Sequence, residues 1–250
     1  MNDLSNSGRI PRLYHDGPLS SGATIDLPEQ AARHVQALRL RVGDAITLFN
    51  GNGAEWEATL TLISKRSMLA NVGLHKTIDR ESPLEVRLLQ GICASDRMDL
   101  VLQKATELGA AIIQPVVTSR SIVRLSIERQ ERRQLHWRNV VIAACEQCGR
   151  NTIPAVEPSS AFTDLLARLP DDGPRLLLSP DGVTSLRARA LSTPERVTLL
   201  IGPEGGLAPD ERMLALDAGF TAVRFGPRIL RTETAPLAAL AAIQALWGDC

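Results

Sequence analysis

The stretch Ile201-Gly202-Pro203-Glu204-Gly205-Gly206 and, further along, Phe225-Gly226-Pro227-Arg228-Ile229-Leu230-Arg231-Thr232-Glu233-Thr234-Ala235 hold the residues best suited to chemistry. Each follows a short apolar, β-branched run (residues 197–201 and 222–225), so each reads as a strand running into a glycine turn and then a helix start. Two strand ends that stop in glycine bring main-chain N–H and C=O groups to one sheet edge, where open α/β sheets bind ligands. Neither stretch fits a phosphate cradle: GPEGG is not G-x-G-x-x-G, and no Lys-Ser/Thr follows it. A nucleotide-like ligand without a phosphate to hold is the better match. In the second stretch Thr232 or Thr234 can cap a helix with Pro236 in its first turn. Arg228 and Arg231 stand in a segment otherwise entering the core; a buried arginine needs a partner, which points to Glu233 or a ligand.

Other chemistries find less support. Cys145-Glu146-Gln147-Cys148 is a C-x-x-C late in a predicted helix, with no second pair to complete a zinc site, and is read as packing. His15, His34, His75 and His136 are scattered without H-x-x-x-H spacing, so no metal is expected. There is no G-x-S-x-G elbow for an α/β-hydrolase nucleophile, and Asp171-Asp172 before Gly173-Pro174 is a loop turn.

Two textures of chain must position these stretches. Residues 10–75 read as mostly β: strands at 45–49, 55–63 and 67–72, a sharp turn at Asn50-Gly51-Asn52-Gly53, and a short helix over 28–35. Short strands with polar turns suggest a small barrel, and the polar segment 75–83, ending in Ser82-Pro83, reads as a linker. From residue 84 the pattern alternates. Strands are expected at 84–92, 112–117, 175–178, 196–201 and 221–225, with helices at 96–108 (capped by Ser95), 127–148, 209–218 and 236–246. That alternation predicts a mostly parallel sheet with helices on both faces.

At 250 residues, 44% hydrophobic and 22% charged, the chain can bury one large core or two smaller ones. No apolar run is long enough to span a bilayer, and the first residues lack a signal-peptide core, so a cytoplasmic protein without membrane contact is expected. Four cysteines do not make a disulfide framework. Formal net charge is zero, which by itself disfavours a polyanion partner, yet arginine clusters locally at Arg9 and Arg12, at Arg39 and Arg41, and from Arg120 to Arg138.

The residues resemble one known family. IGPEGG paired with ILRTETA is similar to the RsmE family of SPOUT-class methyltransferases, which methylate N3 of a uridine in 16S ribosomal RNA. The likeness extends to Asp96-Arg97-Met98-Asp99, to Gln103-Lys104-Ala105-Thr106-Glu107-Leu108-Gly109, and to Glu146-Gln147-Cys148-Gly149-Arg150 with Ile153-Pro154. Upstream, Arg39-Leu40-Arg41-Val42-Gly43-Asp44 and Phe49-Asn50-Gly51 fit the family's small barrel. The resemblance implies a PUA-like RNA-binding β-barrel over residues 1–77, a linker at 78–83, and a SPOUT domain over 84–250 with a parallel sheet and a C-terminal trefoil knot. It further implies S-adenosylmethionine as cofactor, 16S ribosomal RNA or the small subunit as partner, and a homodimer through the knot domain.

Carried over by position, the cofactor contacts are Leu178, Ile201, Gly202, Pro203, Glu204, Gly205, Gly206, Phe225, Gly226, Ile229, Leu230 and Thr234. Adenine and methionine offer apolar surface and hydrogen-bonding edges, which glycine turns and apolar side chains can meet. Arg231 is the candidate for stabilising a developing uridinate, with Glu204 or Glu233 orienting it or relaying the proton. RNA contacts are expected from Arg9, Arg12, Arg39 and Arg41 in the barrel and from Arg97, Lys104, Arg120 and Arg150 in the second domain. Two alternatives stay open: another SPOUT reaction such as 2′-O-ribose methylation of transfer RNA, and a non-catalytic RNA-binding assembly factor.

Overall fold

The computed structural model describes residues 10–121, 127–186 and 193–250. It contains two compact units, Met1–Glu81 with Cys145–Ile153, and Ser82–Ala144 with Pro154–Cys250.

The first unit holds β1 (Arg12–Tyr14), β2 (Thr24–Asp26), α1 (Glu29–Ala37), β3 (Ala45–Phe49), β4 (Ala54–Ile63) and β5 (Met68–Thr77). They form a five-stranded sheet in the order β1-β3-β4-β5-β2, antiparallel except for the β1–β3 pair. Bulges between Trp56 and Ala58 and between Leu60 and Leu62 bend the two longest strands. Among the described residues no ladder joins β1 to β2. Period-two alternation puts Leu48, Ala58, Leu60, Ala70 and Val72 inside, against Ala31 and Val35 of α1.

The expected spacer is more than a linker. β5 runs through Thr77; the Ile78 carbonyl then accepts from Asn151 Nδ2, Arg80 pairs with Glu55 at 3.0 Å, and Glu81 pairs with Arg150. The return of residues 145–153 to this unit had no sequence signal.

The second unit holds β6 (Glu85–Gly91), α2 (Ser95–Glu107), β7 (Ala110–Val117), α3 (Ile127–Cys148, whose last turn belongs to the first unit), β8 (Ala155–Val156), β9 (Ser160–Ala161), α4 (Phe162–Leu166), β10 (Arg175–Leu178), β11 (Thr184–Ser185), β12 (Arg196–Ile201), α5 (Pro209–Asp217), β13 (Thr221–Arg224) and α6 (Thr234–Trp247). Seven strands lie in the order β11-β13-β10-β12-β6-β7-β8, with β9 also on β7, and every pair is parallel. Strands covered on both faces read as continuous apolar runs, as Val197 to Ile201 does, all buried.

Two caps differ from expectation. Ala94, not Ser95, occupies the N-cap of α2, and Glu233, not a threonine, that of α6; neither makes a side-chain cap bond. In both places a longer-range partner has displaced the local one. Ala94 N–H donates to Glu204 Oε1 at 2.8 Å, and Thr232 Oγ1 donates to the Gly202 carbonyl at 2.9 Å.

Candidate active site

Sheet order explains how two loops distant in sequence meet. β10 lies between β12 and β13, with Leu177 opposite Leu200 on one side and Leu178 opposite Val223 on the other. The turns leaving β12 and β13 therefore flank the end of β10. They enclose a cavity of about 310 Å³ whose apolar walls include Leu178, Ile201, Leu207 and Leu230, within the size range of small-molecule sites.

Main-chain approaches shape that cavity. A Cβ on Gly91 would stand 2.5 Å from Pro203 N, so only glycine lets the end of β6 lie against the 202–206 turn. Gly226 has φ +72°, the left-handed region that side chains avoid, and it turns the chain back over the sheet edge. The segment after β13 crosses to β6, where buried Gln90 Nε2 donates to Thr232 Oγ1 at 3.3 Å. On its other side the first loop is held by Arg120, whose Nη1 donates to the carbonyls of Gly205 at 2.7 Å and Leu207 at 3.4 Å. Glu211 adds a brace, accepting from Ser119 N–H at 2.7 Å and Ala208 N–H at 2.9 Å.

Charged groups bridge the two loops. Arg97 on α2 places Nη1 3.3 Å from Glu204 Oε1 and Nε 3.9 Å from Glu233 Oε2. Glu233 Oε1 lies 4.0 Å from Arg231 Nη1, and the Arg231 side chain is 80% exposed. Glu204 Oε2 and Glu233 Oε2 are both buried without a hydrogen-bond partner, so each carboxylate keeps acceptor capacity beside the cavity. Burial, then the charge of Glu204, pushes the nearby Cys93 thiol up to about 12. A protonated, buried thiol is no nucleophile near neutral pH.

Of the twelve residues carried over as cofactor contacts, ten line the cavity; Pro203 and Thr234 do not. Pro203 is turned against Gly91, and Thr234 opens α6 with its N–H on the Arg231 carbonyl. The buried-arginine reading of Arg228 and Arg231 is corrected: both are exposed, as is Ile229 at 82%, because this segment rims the cavity instead of entering the core.

The expected RNA contacts divide. Arg9 lies outside the described residues. Arg12 and Arg150 are corrected: both are buried. Arg12 Nη1 pairs with Glu55 at 2.5 Å and its Nη2 donates to Asn151 Oδ1 at 2.6 Å, while Arg150 pairs with Glu81. Guanidinium groups so enclosed cannot reach a phosphate. Arg39 and Arg41 are exposed. Lys104 pairs with Glu107 at 2.8 Å, and Arg97 and Arg120 are engaged with the loops as described. Sequence reasoning missed Asp181, Arg212, Arg224 and Thr232, all of which line the cavity, and it missed Gln90. Only Gln90 carried a cue, as a polar residue inside the apolar run of β6. Among the described residues no three of His, Cys, Asp and Glu gather as a metal site would need, and no helix is long and apolar enough to cross a membrane.

Comparison with known proteins adds an independent line. Residues 80–244 match the family of the RNA methyltransferase domain, and residues 27–72 match the RNA methyltransferase PUA domain. The chain is 31% identical to ribosomal RNA small subunit methyltransferase E of Bacillus subtilis, over 90% of this chain and 91% of that protein. It is 30% identical to the protein of that name from Buchnera aphidicola subsp. Schizaphis graminum, over 96% and 98%. The crystal structure of the Neisseria gonorrhoeae ribosomal RNA small subunit methyltransferase E bound to S-adenosyl methionine shares 44% identity and superposes with a TM-score of 0.88, covering 96% of this chain and 99% of that one. A Legionella pneumophila structure in complex with bound cofactor SAM gives 36% identity and a TM-score of 0.93, over 97% and 100%.

Proposed function

Since the chain belongs to the ribosomal RNA small subunit methyltransferase E family, we propose that it methylates N3 of a uridine in 16S ribosomal RNA, with S-adenosylmethionine as donor. The observation that carries this reading is the cavity where the turns after β12 and β13 flank β10. Its apolar walls, glycine turns and lack of a phosphate-binding motif suit adenine and methionine, and Asp181 and Glu204 offer carboxylates to a ligand with cationic groups. Leu178, Ile201, Gly202, Gly205, Gly206, Phe225, Gly226, Ile229 and Leu230 are the residues that would hold it. When bound, the donor supplies a methyl group already activated on a sulfonium.

What remains for the protein is position and the N3 proton. The acidity of uracil N3 is close to that of tyrosine, so forming the anion near neutral pH costs about 4 kcal/mol. One guanidinium about 4 Å from the uracil oxygens offers a comparable amount at an effective dielectric of about 20, before its own desolvation. Arg231, whose side chain is exposed, is the guanidinium assigned to meet a docked base in this reading. Glu233, whose Oε1 lies 4.0 Å from Arg231 and whose buried Oε2 has no hydrogen-bond partner, is favoured over Glu204 to orient it or accept the proton. Glu204 holds the start of α2 and Arg97, which favours a bracing role.

The same reading makes the substrate 16S ribosomal RNA or the small subunit, and the crossing of residues 226–233 a trefoil knot. It also makes the active form a homodimer through this domain. Purified protein, S-adenosylmethionine and small subunits lacking the modification form the test. Nucleoside mass spectrometry should find 3-methyluridine; a 2′-O-methylated nucleoside, or no product alongside tight donor binding, would overturn the assignment.

A further inference from the structure

Arginines at the two ends of the parallel sheet are treated differently. Near its amino edge Arg87 stands 3.5 Å from Asp172, Arg175 3.7 Å from Asp171, and Arg196 3.3 Å from Glu85. At the carboxyl edge Arg224 closes β13, Arg228 follows in the Gly226 turn and Arg212 comes from α5, and all three line the cavity. Among the described residues none of the three side chains makes an ion pair or a hydrogen bond, and Arg212 Nε is buried without a partner. Arg224 and Arg228 are exposed. Of the cavity's two carboxylates, Glu204 is engaged by Arg97 and Ala94, and exposed Asp181 forms no ion pair with any of the three, so the arginines outnumber the acids there.

In a chain of zero formal charge, three unpaired guanidiniums at one mouth form a local positive field that draws an anion. Planar guanidinium groups match phosphodiester oxygens in geometry as well as charge. A base brought to Arg231 must carry its own backbone phosphates to the same rim, because a nucleotide extruded from its stack keeps its chain connection.

We propose that Arg224 and Arg228, with Arg212 behind them, form a phosphate subsite for the RNA backbone beside the target nucleotide. This rests on the methyltransferase reading above. The subsite fixes the register of the RNA on the enzyme and reads no base. Arg224 and Arg228 flank Phe225 and Gly226, which sequence reasoning assigned to the cofactor.

The experiment is filter binding of a 16S ribosomal RNA transcript over a salt series, paired with calorimetric titration of S-adenosylmethionine. The proteins are wild type, the double variant Arg224→Gln/Arg228→Gln, and the double variant Arg224→Lys/Arg228→Lys. Removing one arginine from a single-strand phosphate should flatten the plot of log K against log salt by about 0.7, so the glutamine variant should lose roughly 1.4 and bind RNA about tenfold more weakly at low salt. The lysine variant should recover most of that slope, which a merely structural role would not do. Donor affinity should stay within about twofold for both. An unchanged slope with donor affinity down tenfold would assign the arginines to the donor's carboxylate and overturn the proposal, and so would no change in either quantity. A wild-type protein that binds no donor yet keeps the slope difference would sink the methyltransferase reading and leave the RNA subsite standing.

Discussion

The charged cluster of the first unit and that of the cavity use the same side chains to opposite ends. In the first, Arg12, Glu55, Arg80, Glu81 and Arg150 are joined into opposite-charge pairs, Arg12 also lies over the Phe49 ring at 4.9 Å, and Asn151 ties the group to Ile78. At the cavity, Glu204 and Glu233 each keep a buried oxygen without a hydrogen-bond partner, Arg231 is mostly exposed, and three further arginine side chains are unpaired among the described residues. Pairing spends the capacity of a charge on the fold. A charge left incompletely paired carries a desolvation cost that a ligand can relieve. The contrast therefore separates fold from chemistry where residue type alone does not, and it can be broken experimentally.

The largest effect is expected from Arg12→Ala. Removing Arg12 leaves buried Glu55 with the partly exposed Arg80 as its remaining cation, so the cost falls at the lower end of the range for a broken buried pair, about 3 kcal/mol, which for a protein of this size lowers the melting temperature by roughly 10 °C. Thermal melting checks it, while the salt dependence of RNA binding should keep its slope. An unchanged melt with a flattened slope would return Arg12 to the RNA-binding surface.

Arg231→Ala should do the reverse. Turnover is expected to fall by about a hundredfold or more, equivalent to about 2.7 kcal/mol of transition-state stabilisation. Donor affinity and melting temperature should stay near wild type, because this side chain is exposed and supports no packing. Single-turnover methylation at saturating RNA is the measurement, and wild-type turnover would remove Arg231 from the mechanism.

How far the contrast could be read in advance follows from the range of the interactions. Strands β3 and β10 were legible to the residue, and the long helix α3 likewise, because hydrophobic periodicity and turn residues are local. The two glycine loops were legible as a pair, and nine of the eleven contacts assigned to them face one cavity, together with Leu178. The pairing of Arg12 with Glu55 and of Arg150 with Glu81 joins residues 43 and 69 positions apart. No periodicity carries such a contact, so both arginines read as surface charge. The same limit hid the Ala94–Glu204 bond, 110 positions apart, behind a plausible Ser95 cap. The two-residue strands β8, β9 and β11 are too short for any pattern to repeat.

A third test sharpens the comparison with pH. Burial raises the Glu55 carboxyl, but hydrogen bonds from Arg80 and Arg12 outweigh it, and its pKa is lowered overall. A depressed carboxylate contributes stability that is fully present above its unfolded pKa, about 4.5, and is lost as pH falls through the lower folded value. The stability gap between wild type and Glu55→Gln should hold constant from pH 7 to about 5 and narrow below that. Denaturant melts across this range measure it; a gap that widens on acidification would mean the pair does not hold Glu55 ionised.

The smallest effect belongs to Arg39 and Arg41, which the first unit leaves exposed. Arg39 sits at φ +56° in the turn after α1, a backbone shape that a β-branched replacement would strain, so glutamine is the cleaner substitution. If these side chains touch phosphates while Arg12 does not, Arg39→Gln and Arg41→Gln should each flatten the salt plot by about 0.7 and weaken RNA binding only a few-fold. Neither melting temperature nor donor affinity should move, because neither residue packs into the core around Leu48 and Val72. The decisive quantity is additivity with the cavity pair. Phosphates bound independently contribute independent slopes, so combining Arg41→Gln with Arg224→Gln/Arg228→Gln should sum them. A combined slope no flatter than that of the cavity variant alone would mean that RNA reaches only the second unit, and the first unit's exposed arginines would then be solvated surface.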